Sequence, residues 1–479
     1  MSEKKVFVIT FPVVSHLNAI VNVINELVQT YRVKVVVYDL KKHESLLKKT
    51  GCEFRAYEDF NEMDKVKMNG LKTRVETLPP LLHKVLTLTN MNLIKIATEI
   101  DIEKPDLILF DTMALHAKWI IRYLEKNYQV FLRDKSAILK TTSAPPTCVV
   151  YNTAFARQKN VFPEKADEKL SLAAPLKVKF LSYFINLKLL IRTKILSTKY
   201  GIDFIIPMQE MFVNNQNFQQ IVFTIPEIQP KASFMHTNIN YIGSFFSESL
   251  RTAEQRLTDE TPLNLKGILE KFKPLNPTES FDNLLNSEYN RLFFVSLGTV
   301  FDIGTESYLK IIEAVKMFNN QSSKELGKIG VKINKLNVIM SVGKSCHDDL
   351  NKIFQLANYS LPEEIVIVSS APQTEILKRA SLFLTHAGFG SMHESLFYGV
   401  PMIAMPIAAD QPVNAKYLEN DIKACVSLNF RCTSSDQLKN AFEKILTDQS
   451  YHESCLKYSK LLKKCNAATN GAKLIKSLF

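Results

Sequence analysis

The sequence predicts an α/β protein built from two parallel-sheet domains, and three observations predict it. Short β-branched apolar runs alternate with helical stretches, the rhythm occurs twice, and a polar, strand-poor stretch separates the two blocks. At 479 residues the chain is long enough for more than one sizeable core, since single cores stop growing well below that size. An apolar share of 46% and an aromatic share of 10% are those of a folded, enzyme-sized protein and exclude a disordered chain.

In the first block, strands are predicted at KVFVIT (5–10), KVVVYD (34–39), DLILFD (106–111) and TCVVYN (147–152). AIVNVINELVQTY (19–31) lies between the first two, with apolar residues at helical spacing. The second block repeats the pattern with RLFFVSLG (291–298), NVIMSVG (337–343), EIVIVSS (364–370), LFLTH (382–386) and PMIAMPI (401–407). Continuous apolar strands, each followed by a helix, require parallel sheets covered on both faces. The boundaries read as a first domain at 1–246, a linker at 247–290 containing TDETPLNLKG and KPLNPTES, a second domain at 291–450, and a C-terminal helix within 451–479 that packs back on the first domain. Between 160 and 220, LKVKFLSYFINLKLLIRTKIL is both basic and apolar. It reads as helices covering a pocket in the first domain, or as a weak membrane-surface contact through the basic 177–198 stretch.

A net charge of +12 suits anionic partners, but a lysine-rich solvated surface accounts for most of it. No basic run is interleaved with stacking aromatics, so no nucleic-acid partner is expected. Seven cysteines are scattered at 52, 148, 346, 425, 432, 455 and 465 with no Cys-x-x-Cys pair, which fits reduced thiols rather than a disulfide framework. The opening apolar run is broken by Thr10 and Pro12 and reads as a first strand, not a signal peptide. No uncharged apolar stretch is long enough to span a bilayer, so a cytoplasmic protein is expected, as a monomer.

The most informative segment is LFLTHAGFGSMHESLFYGVP (382–401), an apolar strand that stops at a histidine, two glycines and a serine before a helix begins. In parallel sheets, ligands bind at the carboxyl ends of strands, where a helix N-terminus offers unpaired N–H groups. Gly388 and Gly390 let a phosphate approach the backbone, Ser391 adds a hydroxyl donor, and Glu394 is placed to accept from ribose hydroxyls. Taken alone, these residues also describe a plain strand-to-helix turn. With APQTEIL (371–377) upstream and PIAADQPVNA (406–415) downstream, the block resembles the donor-binding signature of family 1 UDP-dependent glycosyltransferases, most of all the soluble macrolide-glycosyltransferase-like branch. FQQIVFTIPEIQPKASF, NYIGSFF and FFVSLGT extend a weaker similarity along the chain.

The resemblance implies a GT-B fold, two Rossmann-like domains facing across a cleft, with a UDP-sugar donor as co-substrate and no required metal or other cofactor. It places His386 and Ser391 at the diphosphate with help from Thr299, Gln373 along the nucleoside, and Asp410 and Gln411 at the sugar hydroxyls. Gln411 after Asp410 implies glucose. Many relatives carry an aromatic base platform where this chain has Ser370.

The family also places a histidine just after the first strand. Here VVSHLNAI supplies His16, with Ser15 and Ala19 where relatives carry glycine and proline, and the acidic partner corresponds to Asp111 in KPDLILFDTMALHAKW. An acceptor hydroxyl must lose its proton as it attacks the anomeric carbon; imidazole suits that task near neutral pH, and a carboxylate behind it holds its tautomer. His116 reads as a helix residue. The expected activity is inverting hexosyl transfer from a UDP-sugar to a hydroxyl of a small lipophilic acceptor, as in small-molecule glycosylation and detoxification. Phe60, Met68, Phe180, Tyr183 and Phe184 are candidates to line the acceptor pocket, and equally candidates for core. The rival readings are an inactive GT-B binder, a lipid-linked glycosyltransferase, a sugar-nucleotide epimerase and a nicotinamide dehydrogenase. The last lacks its Gly-x-Gly-x-x-Gly loop, because VITFPVVSH follows strand one.

Overall fold

The computed structural model describes residues 4–58, 68–69, 74–133, 146–152, 176–202, 218–230, 238–245, 263–272, 274, 291–298, 301–322, 335–408 and 410–479. The chain divides into two compact α/β units. One comprises Met1–Val66, Lys72–Leu250 and Cys465–Phe479, the other Lys67–Leu71 and Arg251–Lys464.

The first unit opens with β1 (Lys5–Ile9), α1 (Val14–Gln29), β2 (Lys34–Asp39), α2 (Glu44–Lys48) and β3 (Glu53–Ala56). The two-residue strand β4 (Met68–Asn69) belongs to the second unit. The first unit resumes with α3 (Arg74–Glu103), β5 (Leu107–Asp111), α4 (Leu115–Arg133), β6 (Thr147–Asn152), α5 (Leu176–Tyr200), β7 (Gln219–Val222) and β8 (Ile239–Tyr241). Its seven strands lie in the order β3-β2-β1-β5-β6-β7-β8, all parallel. Val6 to Ile9, Val35 to Val37 and Leu107 to Phe110 are buried, which is why these strands read as continuous apolar runs. Helix α1 starts at Val14, ahead of the predicted 19; Ser15, His16 and Asn18 interrupt the apolar periodicity of its first turn and hid it from the sequence pattern. The backbone is helical there nonetheless: His16 N–H and Leu17 N–H both donate to Val13 O, at 3.0 and 3.1 Å.

The second unit contains α6 (Leu263–Lys271), β9 (Leu292–Ser296), β10 (Phe301–Asp302), α7 (Thr305–Ser322), β11 (Asn337–Ser341), α8 (Lys344–Leu356), β12 (Ile365–Val368), α9 (Gln373–Leu377), β13 (Ala380–Thr385), α10 (Phe389–Tyr398), β14 (Met402–Ala404), α11 (Gln411–Tyr417), β15 (Cys425–Ser427), α12 (Ser435–Thr447) and α13 (Gln449–Lys463). Six parallel strands take the order β12-β11-β9-β13-β14-β15, and β10 pairs with β4 alongside. Phe293 packs on Phe442 with ring centroids 5.0 Å apart, and Phe294 stacks on Phe383 across β9 and β13 at 5.1 Å. Each such buried ring contributes about 1.5–3 kcal/mol relative to exposure. Helix α6 falls within the stretch read as a linker, where Leu265, Leu269 and Phe272 form a buried stripe.

The chain end returns to the first unit. After α13, which packs on α10 in the second unit, α14 (Ala467–Lys476) packs on α1. A Cβ on Gly471 would stand 3.1 Å from both Val23 Cγ2 and Ile242 Cδ1, so this close approach accounts for a glycine in the middle of a helix.

Both sheets reverse strand order once, between β1 and β5 in the first unit and between β9 and β13 in the second. Such reversals open a crevice at the carboxyl ends of the strands.

Candidate active site

At the reversal in the first unit, His16 in the first turn of α1 meets Asp111 at the end of β5. Nδ1 of His16 lies 2.9 Å from Asp111 Oδ2. The Asp111 carboxylate is fully buried and its other oxygen accepts from Met113 N–H at 2.7 Å, so the carboxylate is held at both oxygens. A carboxylate oxygen accepts, so this pairing suits the ring tautomer that donates from Nδ1 and carries its lone pair on Nε2. The edge of Phe11 packs on the imidazole, ring centroids 5.1 Å apart. His116 is indeed a helix residue, on α4 and fully buried, with Nε2 3.0 Å from the Tyr57 hydroxyl, which donates to Thr10 O at 2.8 Å. Burial pushes the His116 imidazole down to about 3, so it stays neutral at physiological pH.

At the reversal in the second unit, β13 ends at Thr385 and α10 begins at Phe389. Ala387 between them has φ of 58°, a left-handed conformation that strains a residue with a side chain. Its N–H donates to Thr385 Oγ1 at 3.3 Å, and its carbonyl accepts from Asn414 Nδ2 at 2.9 Å. The His386 ring nests between two glycines: a Cβ on Gly298 would lie 3.0 Å from its Cε1, and a Cβ on Gly388 2.5 Å from its Nε2. Gly388 has an ordinary φ of −63° as the N-cap of α10, so its bareness makes room for the imidazole. Burial holds the His386 imidazole down to about 4, opposed by a hydrogen bond to the Ser296 backbone, and Nδ1 is buried without a partner. Gly390 and Ser391 follow in the first turn of α10.

Gln373, Ser391 and Glu394 come together here. The Gln373 Nε2 amide donates to Glu394 Oε2, and it lies 3.4 Å from Ser391 Oγ. Glu394 is buried on α10, so a ribose hydroxyl reaching it would share the carboxylate with Gln373. Asp410 and Gln411 stand at the start of α11. Gln411 is buried, and its Oε1 accepts from Ile407 N–H at 2.8 Å and Ala408 N–H at 3.0 Å, so the side chain first of all shapes the loop after β14. Asp410 Oδ2 accepts from Asn414 Nδ2 at 2.7 Å. Asn414 therefore ties Asp410 to the strained Ala387 turn. Sequence reasoning passed over it, although it stands in the quoted PIAADQPVNA segment one helical turn beyond Asp410. Ser370 is exposed in the loop after β12. Thr299 and Phe60 lie outside the described residues, as do the side chains of Met68, Phe180, Tyr183 and Phe184.

Two Rossmann-like units, each with polar side chains gathered where its strand order reverses, define the GT-B class of α/β proteins. Solved structures agree: the glycotransferase of kitacinnamycin superimposes with a TM-score of 0.65 at 17% identity, covering 100% of both chains. The calicheamicin glycosyltransferase CalG4 gives 0.61 at 15% identity over 100% of this chain and 98% of that one. Residues 342–466 match the family "UDP-glucoronosyl and UDP-glucosyl transferase". The uncharacterized UDP-glucosyltransferase YojK of Bacillus subtilis is 28% identical over 193 residues, 40% of this chain and 41% of the relative. Human UDP-glucuronosyltransferase 1A9 is 37% identical over 106 residues, 22% of this chain and 20% of the relative. The chain thus spans about two-fifths of the length of the Bacillus relative. The chain resembles the family 1 UDP-glycosyltransferases, and its second unit carries their family signature.

Proposed function

We propose that the protein is an inverting glycosyltransferase that moves a hexose, glucose, from UDP-glucose to a hydroxyl of a small lipophilic acceptor. The observation that carries this reading is the pairing of His16 Nδ1 with the buried Asp111 carboxylate at 2.9 Å. Nε2 of His16 takes the acceptor's hydroxyl proton. The oxygen then bonds to the anomeric carbon from the face opposite the diphosphate, and the bond between that carbon and the phosphate oxygen breaks. The imidazolium formed on His16 is stabilised by Asp111.

In the second unit, the N-terminus of α10 and His386 receive the charge that develops on the leaving UDP, with no metal assigned to that task. The neutral His386 ring has one N–H, engaged by the Ser296 backbone, so it meets the diphosphate as a donor on taking up a second proton. Gln373 and Glu394 hold the nucleoside and its ribose. Asp410 meets sugar hydroxyls as an acceptor, and Gln411 meets them through its Nε2 donors, its oxygen being engaged by the loop. The glucose assignment is supported by Gln411 following Asp410 and by the similarity to the uncharacterized UDP-glucosyltransferases YojK and YdhE of Bacillus subtilis. Seven cysteines without a disulfide support a cytoplasmic location.

The test combines thermal shift with UDP-glucose, UDP-glucuronic acid and dTDP-sugars, and mass spectrometry of products from phenols, flavonoids and hydroxylated lipids. The expected result is the largest shift with UDP-glucose and acceptors that gain one hexose. A larger shift with a dTDP-sugar, the donor class suggested by the thymidine diphosphate bound to the spinosyn rhamnosyltransferase SpnG, would correct the donor. Donor binding without any product would make the chain an inactive binder.

A further inference from the structure

Among the described residues six large apolar side chains are exposed, and four of them stand on α5: Leu187 (39%), Leu190 (59%), Ile191 (52%) and Ile195 (60%). Their spacing of three, four and eight residues puts them on one face of the helix. The opposite face is accounted for by the fold. Leu189, Thr193 and Leu196 are buried, Arg192 Nη2 donates to Thr87 Oγ1 at 2.7 Å, and the Tyr200 hydroxyl donates to Asn90 O at 2.9 Å, all fastening α5 to α3. The helix is therefore apolar on two sides, of which the fold covers one. Ile102 and Leu356, the other two exposed residues, stand singly on other helices, as is ordinary for a protein surface.

Charge indicates what covers the outer side. Lys188 and Lys194 are exposed along it, and the whole helix carries Lys177, Lys179, Lys188, Arg192, Lys194 and Lys199 with no aspartate or glutamate. A two-fold pairing of this face with itself would bring these lysines against one another, which disfavours a second copy as the occupant. An anionic lipid surface offers phosphates to the lysines and an acyl boundary to the leucines and isoleucines. No described helix is long and apolar enough to cross a membrane, so α5 would lie in the plane of the surface. We infer that the outward face of α5 docks the protein on an anionic membrane surface, with Leu187, Leu190, Ile191 and Ile195 at the headgroup–acyl boundary and Lys188 and Lys194 at the phosphates. The lysines reach the phosphates by extending their stems along the apolar face.

The test is co-sedimentation of the full chain with vesicles of phosphatidylglycerol and phosphatidylcholine, against vesicles of phosphatidylcholine alone. Pelleting is expected with the anionic vesicles at low salt, weakened at about 0.5 M NaCl, where exposed charges are screened. Leu190→Gln/Ile191→Gln/Ile195→Gln should partition at least about tenfold less while keeping the native circular dichroism and melting temperature, since all three side chains are exposed. Lys188→Gln/Lys194→Gln should lose the preference for anionic over neutral vesicles. Failure to pellet with anionic vesicles at low salt overturns the inference, as does a triple variant that binds as well as the native chain. A native dimer that the triple variant renders monomeric, without vesicle binding, assigns the face to a second copy instead.

Discussion

Asp111 decides which nitrogen of His16 carries a proton, and that choice has a direct consequence. In Asp111→Asn the amide presents an N–H donor where the carboxylate accepted, so the ring turns to the tautomer with its proton on Nε2 and cannot accept the substrate's proton there. Steady-state kinetics should show turnover lowered about 10²–10⁴-fold, as for loss of a general base, with the melting temperature little changed. His386 gives a second residue-scale expectation. Its imidazole is held to about 4 without ligand, and an adjacent diphosphate favours the charged ring and raises that value. Binding then takes up a proton, so donor affinity rises as pH falls from the liganded value towards about 4. Calorimetric titrations with UDP-glucose from about pH 8 to 5 should show this rise, and His386→Gln should flatten it; a flat native profile would remove His386 from the diphosphate.

The element that organises the proposed donor side is the turn from β13 into α10, where a nested His386, a left-handed Ala387 and a bare Gly388 occupy consecutive positions. Gly388→Ala would push a methyl carbon to 2.5 Å from His386 Nε2. The overpacking should cost about 1–3 kcal/mol and displace the imidazole, so chemical denaturation and donor titration should worsen together. The glycine pattern of this turn was legible in the sequence because a close approach admits no other residue. The reason was only half legible, since the sequence pointed to a phosphate and not to the histidine ring. Central strands such as β1 and β9 were legible as unbroken apolar runs because both their faces are covered. Strands β3, β8 and β15 were not, because EFRA, INY and CVS are short, partly exposed and carry no such run, whereas β12, at a sheet edge like them, keeps the run IVIV. Asn414 escaped notice because its task, bridging Asp410 and the Ala387 carbonyl, exists only once α11 and the turn are folded together.

Across the whole molecule, each unit holds a histidine that acid must charge against burial. His116 in the first unit is held to about 3 and His393 in the second to about 4, both by desolvation. Their folded values lie below the ordinary 6.5, so the unfolded chain takes up protons first and stability falls as pH drops from about 6.5 towards those values, by about 5 kcal/mol for His116 and about 3 kcal/mol for His393 at the end of each range. The melting temperature should therefore decline steadily below about pH 6.5; a melting temperature constant down to about pH 4 would contradict this. The residues proposed for the two halves of the reaction also stand on different units: the His16–Asp111 pair on the first, and His386, Ser391 and Glu394 on the second. That separation supplies the most direct test of the account, the comparison of turnover and UDP-glucose affinity in His16→Ala. The account predicts turnover on a hydroxyl acceptor lowered about 10²–10⁴-fold, with the donor dissociation constant within about twofold of native. Near-native turnover in His16→Ala would contradict it.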